Sequence, residues 1–195
     1  MDLRDDEALE DLNAAVDYLK ESNNVDEARI VDEARIGIIG VCQTGRQPLL
    51  LAANRNDIAG VVVLYRAIGG KEWDGNELRP TPLEKLIAQV SCPMLGIFGE
   101  VDHIISVDDV VRSRGCLEWS KKNYHVRLYR DAPQGWLNDT MPGRYGKEAA
   151  KDAWNLMMSF LKKCFAGYWD PQRISFTFES NCSTEYDFTK NVRLE

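Results

Sequence analysis

Apolar positions along the chain fall into two periodicities, and their alternation gives the architecture. Leu9, Leu12, Val16 and Leu19 recur at helical spacing, with Ala8, Ala14 and Ala15 between them, and predict a helix over residues 5–21. Arg35 to Val41 is a short, continuously apolar run, the kind that forms a strand buried in a parallel sheet. A helix over 48–54 and a second apolar strand over 60–65 follow. Residues 69–82 are polar and rich in Gly and Pro, which predicts a loop. A short helix over 83–89, a third apolar strand over 93–100 and a helix over 106–122 come next, with Ser106 as N-cap and Asp108 and Asp109 at the positive end of its dipole. Tyr124 to Arg130 alternates polar and apolar residues, as an outer strand does. A long amphipathic helix over 145–163 runs through Ala149, Ala153, Leu156, Met157, Phe160 and Leu161. Trp119 and Trp154 lie on helices and are expected in core or helix–sheet contacts. Beyond Trp169 only residues 174–178 are strand-like. Four strands separated by helices predict a mainly parallel α/β sheet with right-handed crossovers.

Composition adds little to this picture and removes several alternatives. The 195 residues suffice for one domain with a real core, and 44% hydrophobic with 28% charged residues is ordinary for a globular chain. A net charge of −7, with basic residues scattered, excludes a nucleic-acid or anionic-membrane surface. The acidic start has no apolar core of a signal peptide, and no apolar run is long enough to span a bilayer. Cys42, Cys92, Cys116, Cys164 and Cys182 lie far apart without a C-x-x-C pair, so they read as free thiols of a cytoplasmic protein, with no metal site. An exact tandem repeat, Val25–Ile30 followed by Val31–Ile36, reads as an insertion that lengthens the connection into the first strand.

The candidate chemistry sits beyond the C-terminal ends of strands, where open α/β sheets gather reactive groups. Gly40-Val-Cys42-Gln-Thr-Gly45 has the small-x-nucleophile-x-small form of a nucleophile elbow, which needs small neighbours because the central residue is held in a strained turn. A cysteine there lies at a helix N-terminus, where free N–H groups and the dipole favour a thiolate. The third strand ends in Gly99-Glu-Val-Asp102-His103, and the fourth in Tyr129-Arg-Asp-Ala-Pro-Gln134-Gly-Trp136.

Residues 35–45, 93–103 and 128–136, with Gly143-Arg-Tyr145 and residues 149–154 after them, resemble the dienelactone hydrolases (carboxymethylenebutenolidases) of the α/β-hydrolase superfamily. The resemblance covers about residues 5 to 165 in the right order. It implies a partial α/β-hydrolase fold over 1–167, without the strands that usually precede the nucleophile strand, and a C-terminal extension or arm over 168–195. It also implies hydrolysis of a small carboxylic ester or lactone without a cofactor, with Cys42 as nucleophile, Asp102 at the aspartate position, and the Gln43 N–H in the oxyanion hole. The family's histidine position holds Gln134, whose amide takes no proton near neutral pH and so orients the thiol without serving as base. The expected activity is therefore impaired, and the alternative is an inactive hydrolase-like domain acting as a partner subunit or binding module. Thr44 replaces a glycine of the elbow, and Pro48 is placed to disturb the first turns of the next helix. Trp136, Trp73 and His103 are candidates for a substrate pocket, and His125 for the surface. Without the preceding strands, the strand at 35–41 is a bare apolar edge, which predicts a homo-oligomer or a partner chain covering it.

Overall fold

A computed structural model describes residues 3–22, 36–170 and 172–181. The tandem repeat and Cys182, apart from Ile36, lie outside the described residues, as do residues 182–195 of the predicted extension. The described chain runs through α1 (Asp5–Glu21), β1 (Ile36–Val41), a 3-10 turn (Cys42–Thr44), α2 (Arg46–Asn54) and β2 (Ile58–Leu64). It continues through a second 3-10 turn (Gly70–Glu72), α3 (Leu83–Gln89), β3 (Met94–Gly99), α4 (Val107–Trp119), β4 (Tyr124–Tyr129), α5 (Lys147–Phe165) and β5 (Phe176–Ser180).

The five strands form one sheet in the order β1-β2-β3-β4-β5, and every pairing is parallel. The sheet thus has one strand more than the apolar runs predict. Residues 176–180 pair with β4, so β4 is an interior strand and not the outer one. Its alternation arises because its half-buried side chains, His125 and Arg127, find a partner on β5: Glu179 bonds His125 at 2.9 Å and Arg127 at 3.0 Å.

Side chains of successive strand residues point to opposite faces, and two cores result. Val61, Val63, Met94, Phe98, Val126 and Leu128 pack with Leu49, Leu51, Leu83, Ile87, Val110 and Leu117 of α2, α3 and α4. Val62, Leu64, Leu95, Ile97 and Tyr129 pack with Ala153, Met157, Phe160, Leu161 and Cys164 of α5 on the other face. β2 and β3 are buried along their whole length, which explains their unbroken apolar sequences. Trp119 and Trp154, expected in the core, are 90% and 58% exposed, because they fall on the outer faces of α4 and α5.

Local signals explain the helix starts. Ser106 caps α4 by accepting from the Asp109 N–H at 3.1 Å, while the Asp109 carboxylate accepts the Ser106 N–H at 3.1 Å and its hydroxyl at 2.7 Å. α2 begins at Arg46, two residues earlier than predicted, so Pro48 falls in its first turn. No intrahelical bond is lost there, since the first N–H groups of a helix have no carbonyl to meet, and the expected disturbance does not occur. Arg46 itself is buried, bonding Asp5 at 2.9 and 2.7 Å, Glu72 at 3.2 Å and the Thr81 carbonyl at 2.6 Å. Arg79 also pairs with Glu72. This cluster fastens α1 and the loop after β2 to the start of α2.

β1 has a neighbour on one side only among the described residues, and Ile39 and Val41 are each 43% exposed. Its end is partly closed by Thr44, whose hydroxyl accepts the Val41 N–H at 3.0 Å and donates to the Val41 carbonyl at 2.9 Å. No described helix is long and apolar enough to cross a membrane.

Candidate active site

Cys42 begins the 3-10 turn between β1 and α2 with φ of +53°, a left-handed conformation that a non-glycine residue enters only under constraint. The constraint is steric. A Cβ at Gly40 would lie 2.4 Å from the Thr44 carbonyl oxygen and 2.6 Å from the Pro48 ring. A Cβ at Gly45 would lie 2.7 Å from Cβ of Arg66. The elbow therefore closes only over glycine at 40 and 45. Position 44 tolerates threonine because its hydroxyl satisfies Val41 at the strand end.

Asp102 stands just beyond β3 and is buried. Its Oδ1 accepts the N–H groups of Ile104 at 2.7 Å and Ile105 at 3.1 Å. Burial raises its carboxyl above the ordinary value, opposed by these two N–H groups and more weakly by the charges of His103 and Arg66.

Gln134 lies on the loop after β4, between two residues in the left-handed region, Asp131 with φ of +55° and Gly135 with φ of +80°. One terminus of its amide is 3.4 Å from Cys42 Sγ. The other faces the Tyr65 carbonyl and both Asp102 oxygens, all of them acceptors. The nitrogen belongs on that side, where it donates to Tyr65 O at 3.1 Å and to Asp102 Oδ2 and Oδ1 at 2.5 and 3.1 Å. The amide oxygen then faces Sγ and accepts the thiol proton as a hydrogen bond. Thiol, amide and carboxylate form one continuous line, held from the ends of β1, β4 and β3. The group that faces the thiol is an amide, which can orient it but takes no proton near neutral pH.

The structure thus brings together Cys42, Gln134 and Asp102, three residues singled out in the sequence, and Gln43 follows Cys42 in the turn. Of the pocket candidates, two are buried in the packed core. Trp136 is fully buried against Tyr129, with ring centroids 4.7 Å apart. Trp73 is buried in the core on the opposite face of the sheet, its Nε1–H donating to Ile68 O at 2.9 Å. Both are packing residues, because large apolar rings are held most favourably inside. His103 is exposed, beside a buried Asp102. His125 is half-buried under Glu179 rather than free on the surface.

Two residues at this site carry no motif. Tyr65, with φ of +39°, supplies the carbonyl that receives the Gln134 amide. Burial raises its phenol above the ordinary value, and the charges of Cys42 and Asp102 add to that shift. Arg66 follows it, packed against the elbow at Gly45. The one available signal was positional, since Tyr65 and Arg66 directly follow β2, beyond the same C-terminal end of the sheet as the other three.

A parallel sheet with helices on both faces and a cysteine elbow define an α/β-hydrolase fold. The model of the Dienelactone hydrolase family matches residues 1–165, and the chain belongs to that family. It is 28% identical over 159 residues to a Methylorubrum extorquens protein named "Putative carboxymethylenebutenolidase", covering 82% of this chain and 51% of that protein. It is 28% identical over 160 residues to a Bradyrhizobium protein named "Probable 2-oxo-3-(5-oxofuran-2-ylidene)propanoate lactonase", covering 82% and 60%. Among solved structures it matches that of a "Putative Dienelactone Hydrolase" from Klebsiella pneumoniae at a TM-score of 0.69 and 25% identity, covering 82% of this chain and 62% of that one. The chain spans between half and two thirds of the length of these relatives.

Proposed function

We propose that the chain carries the acyl-transfer site of a hydrolase for small carboxylic esters or lactones, with Cys42 as nucleophile and turnover impaired by Gln134. The observation that supports this reading is the line from Sγ through the Gln134 amide to Asp102, 3.4 Å at one end and 2.5 Å at the other. Attack by sulfur on the carbonyl gives a tetrahedral oxyanion, for which the Gln43 N–H is the proposed donor. Collapse expels the alkoxide or enolate and leaves an acyl-thioester on Cys42, the thiol proton passing to solvent. Deacylation needs an activated water, and neither amide atom of Gln134 activates one. The test is hydrolysis of an activated aryl acetate and of an enol lactone by wild type and Cys42→Ala. Slow hydrolysis lost in Cys42→Ala supports the reading; equal rates in the two proteins overturn it.

A second reading is an inactive hydrolase-like domain that binds another chain, whether a second copy or a partner, along the open edge at 35–41. It is favoured by Gln134 and by the exposure of Ile39 and Val41 on β1, whose outer edge pairs with no strand among the described residues. A concentration-independent monomer in sedimentation would refute the homo-oligomeric form, and retention of a co-purified chain would support the other.

A further inference from the structure

Three tyrosines of the described chain are buried, Tyr65, Tyr124 and Tyr129. Two of them have a carboxylate partner: the Tyr124 hydroxyl donates to Glu118 at 2.6 Å, and the Tyr129 hydroxyl donates to Asp152 at 2.7 Å. Such pairing is expected, because a hydroxyl withdrawn from water without a partner is costly. Tyr65 is the exception. It is 4% exposed, and its hydroxyl has no hydrogen bond among the described residues.

The backbone explains where that hydroxyl is sent. β1 and β2 pair through Gly40↔Val63 and Val41↔Leu64, so Cys42 and Tyr65 are the next opposed residues beyond the ladder. Neighbouring strands lie about 4.8 Å apart. Along β2 the side chains alternate, Val61 and Val63 facing α2, α3 and α4, Val62 and Leu64 facing α5. Continued alternation would turn Tyr65 away from α5. Its φ of +39° breaks the alternation, and Tyr65 packs on the same face as Leu64, in the cluster against which Cys42 also packs. A left-handed conformation at a non-glycine residue persists only where surrounding structure imposes it, and here it turns a phenol to the side of the sulfur. Burial, and then the charges of Cys42 and Asp102, raise that phenol above its ordinary value, so it keeps its proton near neutral pH.

We propose that Tyr65 is the general acid of this site, its hydroxyl protonating the oxygen that leaves as Cys42 is acylated. The proposal rests on the reading of Cys42 as an acyl-transfer nucleophile and supplies a group that reading lacks, since the Gln134 amide yields no proton to a departing alkoxide. In the step, the C–O bond of the tetrahedral adduct breaks, its electron pair goes to the oxygen, and the phenol proton follows. The alcohol departs, the thioester stays on Cys42, and the phenolate regains from solvent a proton equivalent to the one the thiol gave up. A phenol that holds its proton does not activate water, so the acid serves acylation and leaves deacylation slow.

The test compares the full chain as wild type and Tyr65→Phe in acylation by two acetates. The leaving group of 4-nitrophenyl acetate departs without a proton, whereas the more basic alkoxide of 2,2,2-trifluoroethyl acetate needs one. The adduct on Cys42 is followed by intact mass and peptide mapping. Acylation by the trifluoroethyl ester should fall by about 100-fold or more in Tyr65→Phe, with the nitrophenyl ester within about two-fold of wild type. The solvent deuterium isotope effect on the trifluoroethyl reaction should be lost with the hydroxyl. Tyr65→Phe keeps the ring and removes a hydroxyl without a protein partner, so its urea midpoint should equal or exceed that of wild type. Equal slowing of both esters, or of neither, overturns the proposal and leaves Cys42 as nucleophile, as does an isotope effect that persists in the variant. A midpoint well below wild type overturns it by showing the hydroxyl bonded within the fold. No adduct on Cys42 of wild type with either ester overturns the acyl-transfer reading, and the proposal with it.

Discussion

Replacing Gln134 with histidine puts a titratable group into a gap already built for one. The amide spans from 3.4 Å off Cys42 Sγ to 2.5 Å off Asp102 Oδ2, with the Tyr65 carbonyl at 3.1 Å. An imidazole in that position donates its Nδ1–H to Asp102 and presents Nε2 to the thiol. Flanking backbone need not change, since Gly135 already carries the positive φ of the turn. A positioned general base contributes about 10² to 10⁴ in rate, which is about 3–5 kcal/mol of barrier. Aryl-acetate hydrolysis by Gln134→His should therefore exceed wild type by at least about 100-fold in kcat/KM, with deacylation gaining as well as acylation. The gain should emerge as pH rises through the histidine range, because the neutral imidazole is the base. It should vanish in the Gln134→His, Cys42→Ala double variant. A folded Gln134→His protein no faster than wild type, or one whose gain survives loss of Cys42, would refute the reasoning.

Other consequences concern stability. Burial raises the Asp102 carboxyl, so the folded chain keeps a proton that the unfolded chain has lost above its ordinary value of 3.8. Stability attributable to this group thus falls as pH rises from 3.8 to the raised value and is level beyond it. Urea denaturation of wild type and Asp102→Asn across pH should show their difference moving against wild type as pH rises through that window; the opposite slope contradicts the assignment. Gly40→Ala forces a Cβ to within 2.4 Å of the Thr44 carbonyl, with a predicted loss of about 1–3 kcal/mol by the same method. An unchanged midpoint would mean the elbow is looser than described. Arg46→Ala leaves Asp5 and Glu72 buried beside the lone Arg79, and should cost about 3–5 kcal/mol. A loss under 1 kcal/mol would reduce the cluster to a surface-like pair.

What the sequence disclosed depended on whether a signal was local. The unbroken apolar runs of β2 and β3, the Ser106 cap and the Gly40–Gly45 elbow could be read because each follows from spacing and steric need within a few residues. The positions of Cys42, Asp102 and Gln134 were legible for the same reason, as each ends a strand. The fifth strand was seen only as strand-like, because Phe176 stacks on Tyr124 and Phe178 is half-buried under Arg114, contacts which no local pattern announces. Trp119 and Trp154 misled because a large apolar residue on a helix does not say which way that helix faces. Arg46 and Arg66 look alike in the sequence. Their difference, one bound by two carboxylates and the other by none, exists only after α1 and the loop following β2 have folded around α2.

The account's central claim is that Cys42 is an oriented nucleophile without a base, and its acyl form tests this most directly. Wild type would be mixed with an activated aryl acetate and sampled over time by intact mass and peptide mapping, with Cys42→Ala as the control. The account predicts one acetyl group, mapped to Cys42, that forms and then persists while free ester remains. Rapid Cys42-dependent hydrolysis in which the adduct clears faster than it forms and does not accumulate would contradict the claim by revealing a working base. Acetylation spread over Cys92, Cys116 and Cys164, or none at Cys42, would contradict it by showing that the elbow presents no nucleophile.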